Sequence, residues 1–505
     1  MASSAEVAKA FTPYSTAKPY FGPLPQWLDP VDAQRIQAYQ LYEEMYWNAN
    51  DAGVESQDSE AVHIPVAKGL VEAIHRFLLV GWDVRYEGGT EAEQAAAKAQ
   101  IDTLFKREQF PAKVSSAKRY GLIRGDAMFH VVADPEKPAG SRISIYELDP
   151  ATYFPIYDLD DPDRITGCHL IEMTEWNERQ VIRRQTYRKE QVYEIDEEGR
   201  ETVVFTGRVT SELALFELSG WDDRFGAKPE SIKRIQTLQP VTLLPEEISQ
   251  LPVYHWKNTR NTVDIFGSSA YRGLEGLLKK IDQTITDQDL GLALASLGVY
   301  VTDSGAPKDG GDWVIGPGRV VEVGPGSDFK RVPGITSIAP SVAHADYLEG
   351  KAREGLGISP IAAGDVDVSS AESGIALFMK LMPLIAANSE RELEIIATLD
   401  QLLFDLTRMW FPAYEGVSFG DVMVVSTVQD PMPVNREAVI EETVLLLEKG
   451  LITMQMAIDK LATVGWVYPK DALKQLVAER RAKNADLSDP DGARIEEEAG
   501  DGTDA

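Results

Sequence analysis

SSAYRGLEGLLKKIDQTITDQDLGLALAS, residues 268–296, sets Leu274, Leu277, Leu278, Ile281 and Ile285 on one face at the 3.6-residue period. Lys279, Lys280, Gln283 and Asp287 fall on the other side, so the spacing predicts a helix from about Ser268 to Ser296. The pattern then breaks into short β-like runs, Gly298–Thr302, Trp313–Ile315 and Val320–Val323, separated by SGAPKDGGD, GPG and GPGS. A second helix is predicted from about Ser341 to Glu354. A stretch rich in Gly, Asp and Ser follows, Gly355–Ser373, and then a helical run from about Gly374 to Phe411. Unbroken, that run would span about 55 Å at 1.5 Å per residue.

Upstream, residues 1–28 are rich in Pro, Ser and Ala and read as a loose arm. Pro30 opens a helix predicted to reach Asn48. Further helices are expected over Ile64–Val80, Thr90–Lys106 and Phe110–Leu122, with a strand at Trp82–Tyr86. From Asp126 to about Glu217 the periodicity changes to alternation, the mark of antiparallel strands. The runs are Ala127–Val132, Arg142–Glu147, Tyr153–Tyr157, Gly167–Met173, Gln180–Lys189, Gln191–Ile195 and Glu201–Val204. Gly220–Ser249 reads as loop, and Leu251–Trp256 leads back to the quoted helix. At the other end, Asn435 can cap a helix that Gly450 terminates, and Thr453–Thr463 and Lys470–Ala482 give two more. Asn484–Ala505 holds eight acidic residues and one basic residue and reads as a disordered tail.

Three segments carry a resemblance: NTRNTVDIFGSSAYRGLEGLLKKID (258–282), GISPIAAGDVDVSSAESGIALFMKLMPL (357–384) and NREAVIEETVLLLEKGLITMQMAIDKL (435–461). In their order they resemble the portal proteins of tailed bacteriophages, of the siphophage type, over roughly Pro30–Ala482. The specific part is the order of segments, because portals lack a short signature. The resemblance implies an α+β portal fold. Its parts would be an arm (1–28), an α/β wing (29–257), a stem helix (258–297), a small β-containing clip (298–338) and a second stem helix (339–356). A tunnel loop (357–373), a kinked spine helix returning to the wing (374–432), a helical crown (433–483) and the acidic tail (484–505) would follow. It also implies a non-enzymatic ring of about twelve copies at one capsid vertex of the virion, assembled in the bacterial host cytoplasm. Double-stranded DNA would pass through the ring during packaging and ejection. Implied partners are the terminase large subunit, which supplies the ATPase, a head-completion or adaptor protein, and the major capsid and scaffolding proteins. Another self-assembling phage structural protein, of capsid or baseplate, is the alternative.

Composition bounds these readings. The chain has 505 residues, 44% of them apolar and 26% charged, the profile of an ordinary folded protein with a large core. No run of about 18 apolar residues exists, so no transmembrane helix is expected. MASSAEVAKAFTPYSTAKPYFG has no apolar core of a signal peptide. Cys168 stands alone, which excludes an internal disulfide framework. The formal charge of −30 opposes tight gripping of phosphates, and it equally suits a channel wall past which DNA slides or an acidic enzyme.

Catalytic and cofactor motifs are sparse. No GxxxxGK[ST] appears, and the prolines of GPGRVVEVGPG remove N–H groups that a phosphate cradle needs. Six scattered histidines and one cysteine give no zinc spacing. Asp158-Leu-Asp-Asp-Pro-Asp163 resembles a Ca²⁺ loop, but Pro162 takes a ligand position and no glutamate follows. No cofactor and no metal are expected, and no GxSxG elbow points to a Ser-His-Asp triad. Arg124-Gly125-Asp126 spells an integrin tripeptide and reads as chance.

Candidate DNA-facing residues are Lys279, Lys280 and Gln283 on the first stem helix and Lys330 and Arg331 in the clip. Repeated around a ring, each lysine becomes a ring of charge that holds phosphate briefly. A solvated lysine, or an inter-subunit ion pair of Lys279 or Lys280 with Asp282 or Asp287, is the competing role. Clip surfaces that bind the ATPase or connectors compete likewise for Lys330 and Arg331. In the tunnel-loop position lie Gly364, Asp365, Val366, Asp367, Ser369 and Ser370, where glycine allows backbone shifts and the aspartates repel phosphate. Pro383 removes a backbone donor, and a kink is expected there. Ile395, Ile396, Leu399, Leu402, Leu403, Leu406 and Trp410 keep a stripe that is core or subunit interface.

Overall fold

A computed structural model describes residues 30–47, 62, 64–158, 164–177, 179–195, 201–218, 232–260, 265–297, 299–303, 326, 328–332, 339–364, 374–429 and 436–462. The arm, the runs Trp313–Ile315 and Val320–Val323, the helix expected at Lys470–Ala482 and the acidic tail lie outside the described residues. The chain divides into Met1–Pro431 and Met432–Ala505.

The first unit is mixed α and β. It opens with α1 (Pro30–Trp47), α2 (Val66–Arg76), β1 (Asp83–Glu87), α3 (Glu91–Glu108) and α4 (Phe110–Arg124). Thr90 closes a capping box at α3: its hydroxyl accepts from the Glu93 amide, and the Glu93 carboxylate accepts from the Thr90 amide at 2.7 Å. Gln109, at φ 51°, ends α3 and begins α4, so one residue makes the corner. Helix α4 buries Phe110, Val114, Ala117, Leu122 and Ile123 and packs on β2 (Asp126–Ala133).

Strand β2 is the middle of an antiparallel sheet, β3 (Ile143–Leu148)–β2–β9 (Val253–Lys257). Its first six residues, Asp126–Val131, are buried on both faces, so the one-sided burial that alternation implies for Ala127–Val132 is not found here. A second sheet is a five-stranded meander: β4 (Tyr153–Tyr157), β5 (Ile165–Trp176), β6 (Arg179–Ile195), β7 (Glu201–Leu218) and β8 (Ile232–Leu243). Met128, Leu148, Tyr153, Cys168, Leu170, Tyr187, Val209 and Phe266 form one core cluster joining the two sheets.

Two expectations are corrected here. Gly220–Ser249 is not all loop, because residues 232–243 form edge strand β8. Pro240 hid it: the ladder skips from Ser211↔Thr242 to Leu213↔Gln239, so the proline sits in a bulge where its missing N–H costs no ladder bond. The runs Gln180–Lys189 and Gln191–Ile195 are one strand with a register shift at Lys189/Gln191, and the expected Glu201–Val204 extends to Leu218.

The remaining elements are α5 (Glu275–Leu297), β10 (Val299–Thr302), β11 (Phe329–Val332), α6 (Ala339–Gly355), α7 (Pro360–Ala363), α8 (Gly374–Asp405), a π-helical segment Leu406–Glu415, and β12 (Met423–Thr427). Helix α5 starts seven residues later than the apolar spacing implied. The Ser269 hydroxyl bonds the Ile123 carbonyl at 2.5 Å and accepts from the Tyr271 amide, and Gly273 turns at φ 86°. These bonds hold residues 268–274 in turns. Helix α8 packs on β9 and on β12, and β12 pairs antiparallel with β1. No helix among the described residues is long and apolar enough to cross a membrane.

In the second unit, α9 (Arg436–Glu448) and α10 (Met454–Ala462) pack together. Gly450, at φ 69°, ends α9, with Gly450 N–H on the Leu447 carbonyl and Leu451 N–H on that of Leu446. Lys460 pairs with Glu442 across the two helices at 3.1 Å.

Candidate functional site

Helices α5 and α6 form an antiparallel hairpin. Leu274 at the start of α5 lies 3.5 Å from where a Cβ would stand on Gly355 at the end of α6. At the other end, Gln288 Nε2 donates to the Ser341 carbonyl at 2.6 Å. Beyond that end the antiparallel pair β10–β11 joins Val299 to Val332 and Thr302 to Phe329. Leu278 and Ile281 are buried along α5, as the apolar stripe requires, and Leu274, Leu277 and Ile285 are half-buried. Thr286 Oγ1 accepts from the Val62 amide at 3.0 Å, fixing α5 against the segment before α2.

Lys279 and Lys280 are exposed on the opposite face. Among the described residues neither forms an ion pair with Asp282 or Asp287; Asp287 instead accepts from Gln283 Nε2 at 2.9 Å. Lys280 also borders a groove of about 350 Å³ between the two helices, lined with Thr284, Asp287, Gln288, Ser341 and His344. Lys279 and Lys280, with no ion-pair partner among the described residues, thus stand beside polar side chains, an arrangement able to touch an anion without clamping it. At the tip Lys330 is exposed but neutralised by Asp328 at 2.6 Å, which raises the lysine's pKa. Arg331 pairs through its backbone with Tyr300.

The loop behaves differently from its first reading over its first residues. Pro360–Ala363 is a helical turn, α7, capped by Ser359, whose Oγ accepts from the Ala362 amide at 3.3 Å. Gly364 closes it at φ 97°. Asp365, Val366, Asp367, Ser369 and Ser370 lie outside the described residues. Helix α8 then runs through Pro383 without a break in its helical span. Gly357, at φ 68°, lies against that proline: a Cβ there would stand 3.4 Å from the Pro383 carbonyl carbon and oxygen.

Helix α8 is apolar on two sides. Leu381, Leu384, Ile395, Leu399, Leu402 and Leu403 are buried, followed by Leu406 and Trp410, so the stripe seen in the sequence is core, with Ile396 half-buried beside it. Met379, Met382, Leu393 and Phe404 are exposed on the other side, Leu393 at 72% and Met379 at 68%.

Several organising residues had no signal in the sequence because their partners are distant. Asp126, fully buried, accepts from Tyr39 Oη at 2.5 Å, from His255 Nε2 at 2.7 Å and from the Gly267 amide at 2.7 Å. Arg124 bridges Glu43 and Asp149. The Arg-Gly-Asp tripeptide is therefore structural, its glycine turning at φ 102° between a bridged arginine and a buried aspartate. Glu392 of α8 accepts from the Leu79 amide at 2.7 Å, and Asn388 donates to the Ile74 carbonyl at 3.2 Å. Asp405 accepts from Tyr254 Oη at 3.0 Å and Gln401 Nε2 at 2.7 Å, and burial pushes its carboxyl up to about 6. Among the described residues no His, Cys, Asp and Glu cluster could hold a metal ion.

No family model matches the sequence, and no curated protein does either. Among solved structures, a chain of "Neck of native GTA particle computed with C12 symmetry" is similar at 12% identity and TM-score 0.45, covering 89% of this chain and 97% of that one. A chain of "Virion of native gene transfer agent (GTA) particle" is similar at 11% identity and TM-score 0.41, covering 90% and 98%. A chain of "Neck of empty GTA particle computed with C6 symmetry" is similar at 13% identity and TM-score 0.43, covering 91% and 100%. Similarity at this level assigns neither a fold nor a role.

Proposed function

We propose that this chain is a portal subunit, a non-enzymatic protein that assembles as a ring at one vertex of a phage-like capsid and passes double-stranded DNA. One observation carries the reading: the antiparallel hairpin α5–α6, tipped by β10–β11, feeds through α7 into a 32-residue helix that is apolar on two sides. A helix apolar on both sides calls for cover beyond its own core, and neighbouring copies in a ring would supply it. The hairpin would form the stem, β10–β11 part of the clip and α8 the spine. Free Lys279 and Lys280 would then recur around the bore as weak phosphate contacts. The clip would dock the terminase large subunit and later an adaptor protein, and capsid and scaffolding proteins would meet the outer surface. The particle would be its location.

Negative-stain electron microscopy of the purified chain, with its solution mass, tests this. Rings with a central hole and a mass near twelve or thirteen subunits are expected. Flat sheets or closed shells would replace the reading with that of a capsid protein.

A further inference from the structure

The chain carries −30 overall, yet one face of the five-stranded sheet is cationic. Along β6, Val181 and Tyr187 are buried in the core, and Arg184, Thr186 and Arg188 alternate onto the opposite face. Register sets Glu212 beside Thr186, and Phe216 between Ile182 and Arg234, on that same face. The Arg184 guanidinium lies 4.7 Å from the Phe216 ring centroid and that of Arg234 lies 5.8 Å from it. Both reach Glu212, Arg184 at 3.5 Å. Arg188 is exposed and, among the described residues, has no ion-pair partner. Buried Arg184 Nε has no hydrogen-bond partner among them either. One carboxylate thus serves two guanidiniums, and Arg188 stands on the same face with no carboxylate of its own among the described residues. His169 shares the face, its imidazole pushed down to about 4 by burial and then by Arg184 and Arg188.

The same end of the sheet is uncovered. Every residue of β8 from Arg234 to Leu243 is exposed except half-buried Leu238, and Ile235, Val241 and Leu243 are among them. An edge strand wet on both faces is weakly held. Pro240 and three register shifts oppose pairing with a further strand, so cover must come through side chains.

We propose that this face, β6 to β8 around Arg184, Arg188 and Arg234, docks an acidic surface of a second copy of the chain. The site already holds one carboxylate, Glu212, between two guanidiniums, and each copy brings a large excess of carboxylates. A cationic patch cannot pair with itself across a two-fold axis. In the ring read above, on which this rests, it meets a different, acidic surface of its neighbour, a heterologous contact of the type that closes rings.

The test measures assembly of the full chain by mass photometry against concentration, alongside binding of a short labelled duplex DNA by fluorescence anisotropy. Arg188→Glu is expected to raise the concentration for half-assembly about tenfold. Glu212→Gln, which frees two guanidiniums for the neighbour, is expected to lower it; opposite shifts cannot both come from misfolding. Should the wild type assemble and both variants match it, the inference falls and the ring reading stands. If Arg188→Glu weakens DNA binding with assembly unchanged, the face belongs to nucleic acid and the inference is overturned. A wild type that stays monomeric throughout overturns both.

Discussion

Asp126 joins three elements through three donated hydrogen bonds while wholly removed from water. Asp126→Ala leaves a phenol, an imidazole and an amide without an acceptor, and should cost about 3–5 kcal/mol in urea denaturation. Asp126→Asn keeps an acceptor for His255 and Gly267 and offers Tyr39 a donor, so it should cost less than half as much. Titration gives a second prediction at this scale. Burial, aided by nearby Arg183, pushes the His130 imidazole down to about 3, and His169 sits at about 4. Both stay neutral in the folded chain while the unfolded chain takes up protons from about 6.5 downward. Stability is therefore expected to fall as pH drops from about 6.5 towards 4. Asp405 works in the opposite sense: folded, it binds its proton near 6, and unfolded near 3.8, so it adds stability as pH falls through that window. Urea midpoints at pH 7, 6 and 5 should show His169→Gln with a shallower acid loss than wild type, and Asp405→Asn with a steeper one.

At the scale of elements, α8 depends on an odd pairing of residues. Pro383 deprives an interior helical turn of one hydrogen bond, and Gly357 presses its bare Cα side against that turn. Gly357→Ala should destabilise by about 1–2 kcal/mol, from the left-handed backbone and the contact with the proline carbonyl. Pro383→Ala restores a donor and should stabilise by about 1–3 kcal/mol, read as a rise in melting temperature. How legible such elements were depended on range. Helices α1, α3, α4, α6 and α9 stood out because capping residues, glycines and 3.6-residue stripes are local. Strand β8 did not, because a proline inside a bulge looks like a breaker until its partner strand is known. The onset of α5 was misplaced because Ser269 bonds Ile123, 146 positions back, and no local pattern encodes that. The lysines of the hairpin were legible as the polar side of a stripe. The cationic sheet face held a local sign, RRQTYRK at 183–189, whose meaning required the register that sets Arg184, Arg188 and Arg234 on one side.

For the whole molecule, charge is the governing quantity. Thirty excess negative charges per copy make association costly at low salt unless cationic surfaces meet acidic ones, so assembly should depend on ionic strength. The Lys279→Ala, Lys280→Ala double variant removes two exposed cations that have no ion-pair partner among the described residues. It should change unfolding free energy by no more than about 0.5 kcal/mol. On the portal reading, a loss of DNA packaging in that variant, measured as nuclease-protected DNA per particle, would then report lost contact with DNA and not lost folding. The pairing of β1 with β12 has a further consequence, in time. Thr427 Oγ1 donates to the Asp83 carbonyl across 344 positions, so the strand that completes β1 leaves the ribosome long after it. At about 5–20 residues per second, β1 waits roughly 20–70 s with the edge that β12 will cover left bare. The nascent chain must keep that edge from the same edge on its neighbours along one message, and any chain broken off before β12 keeps it bare for good.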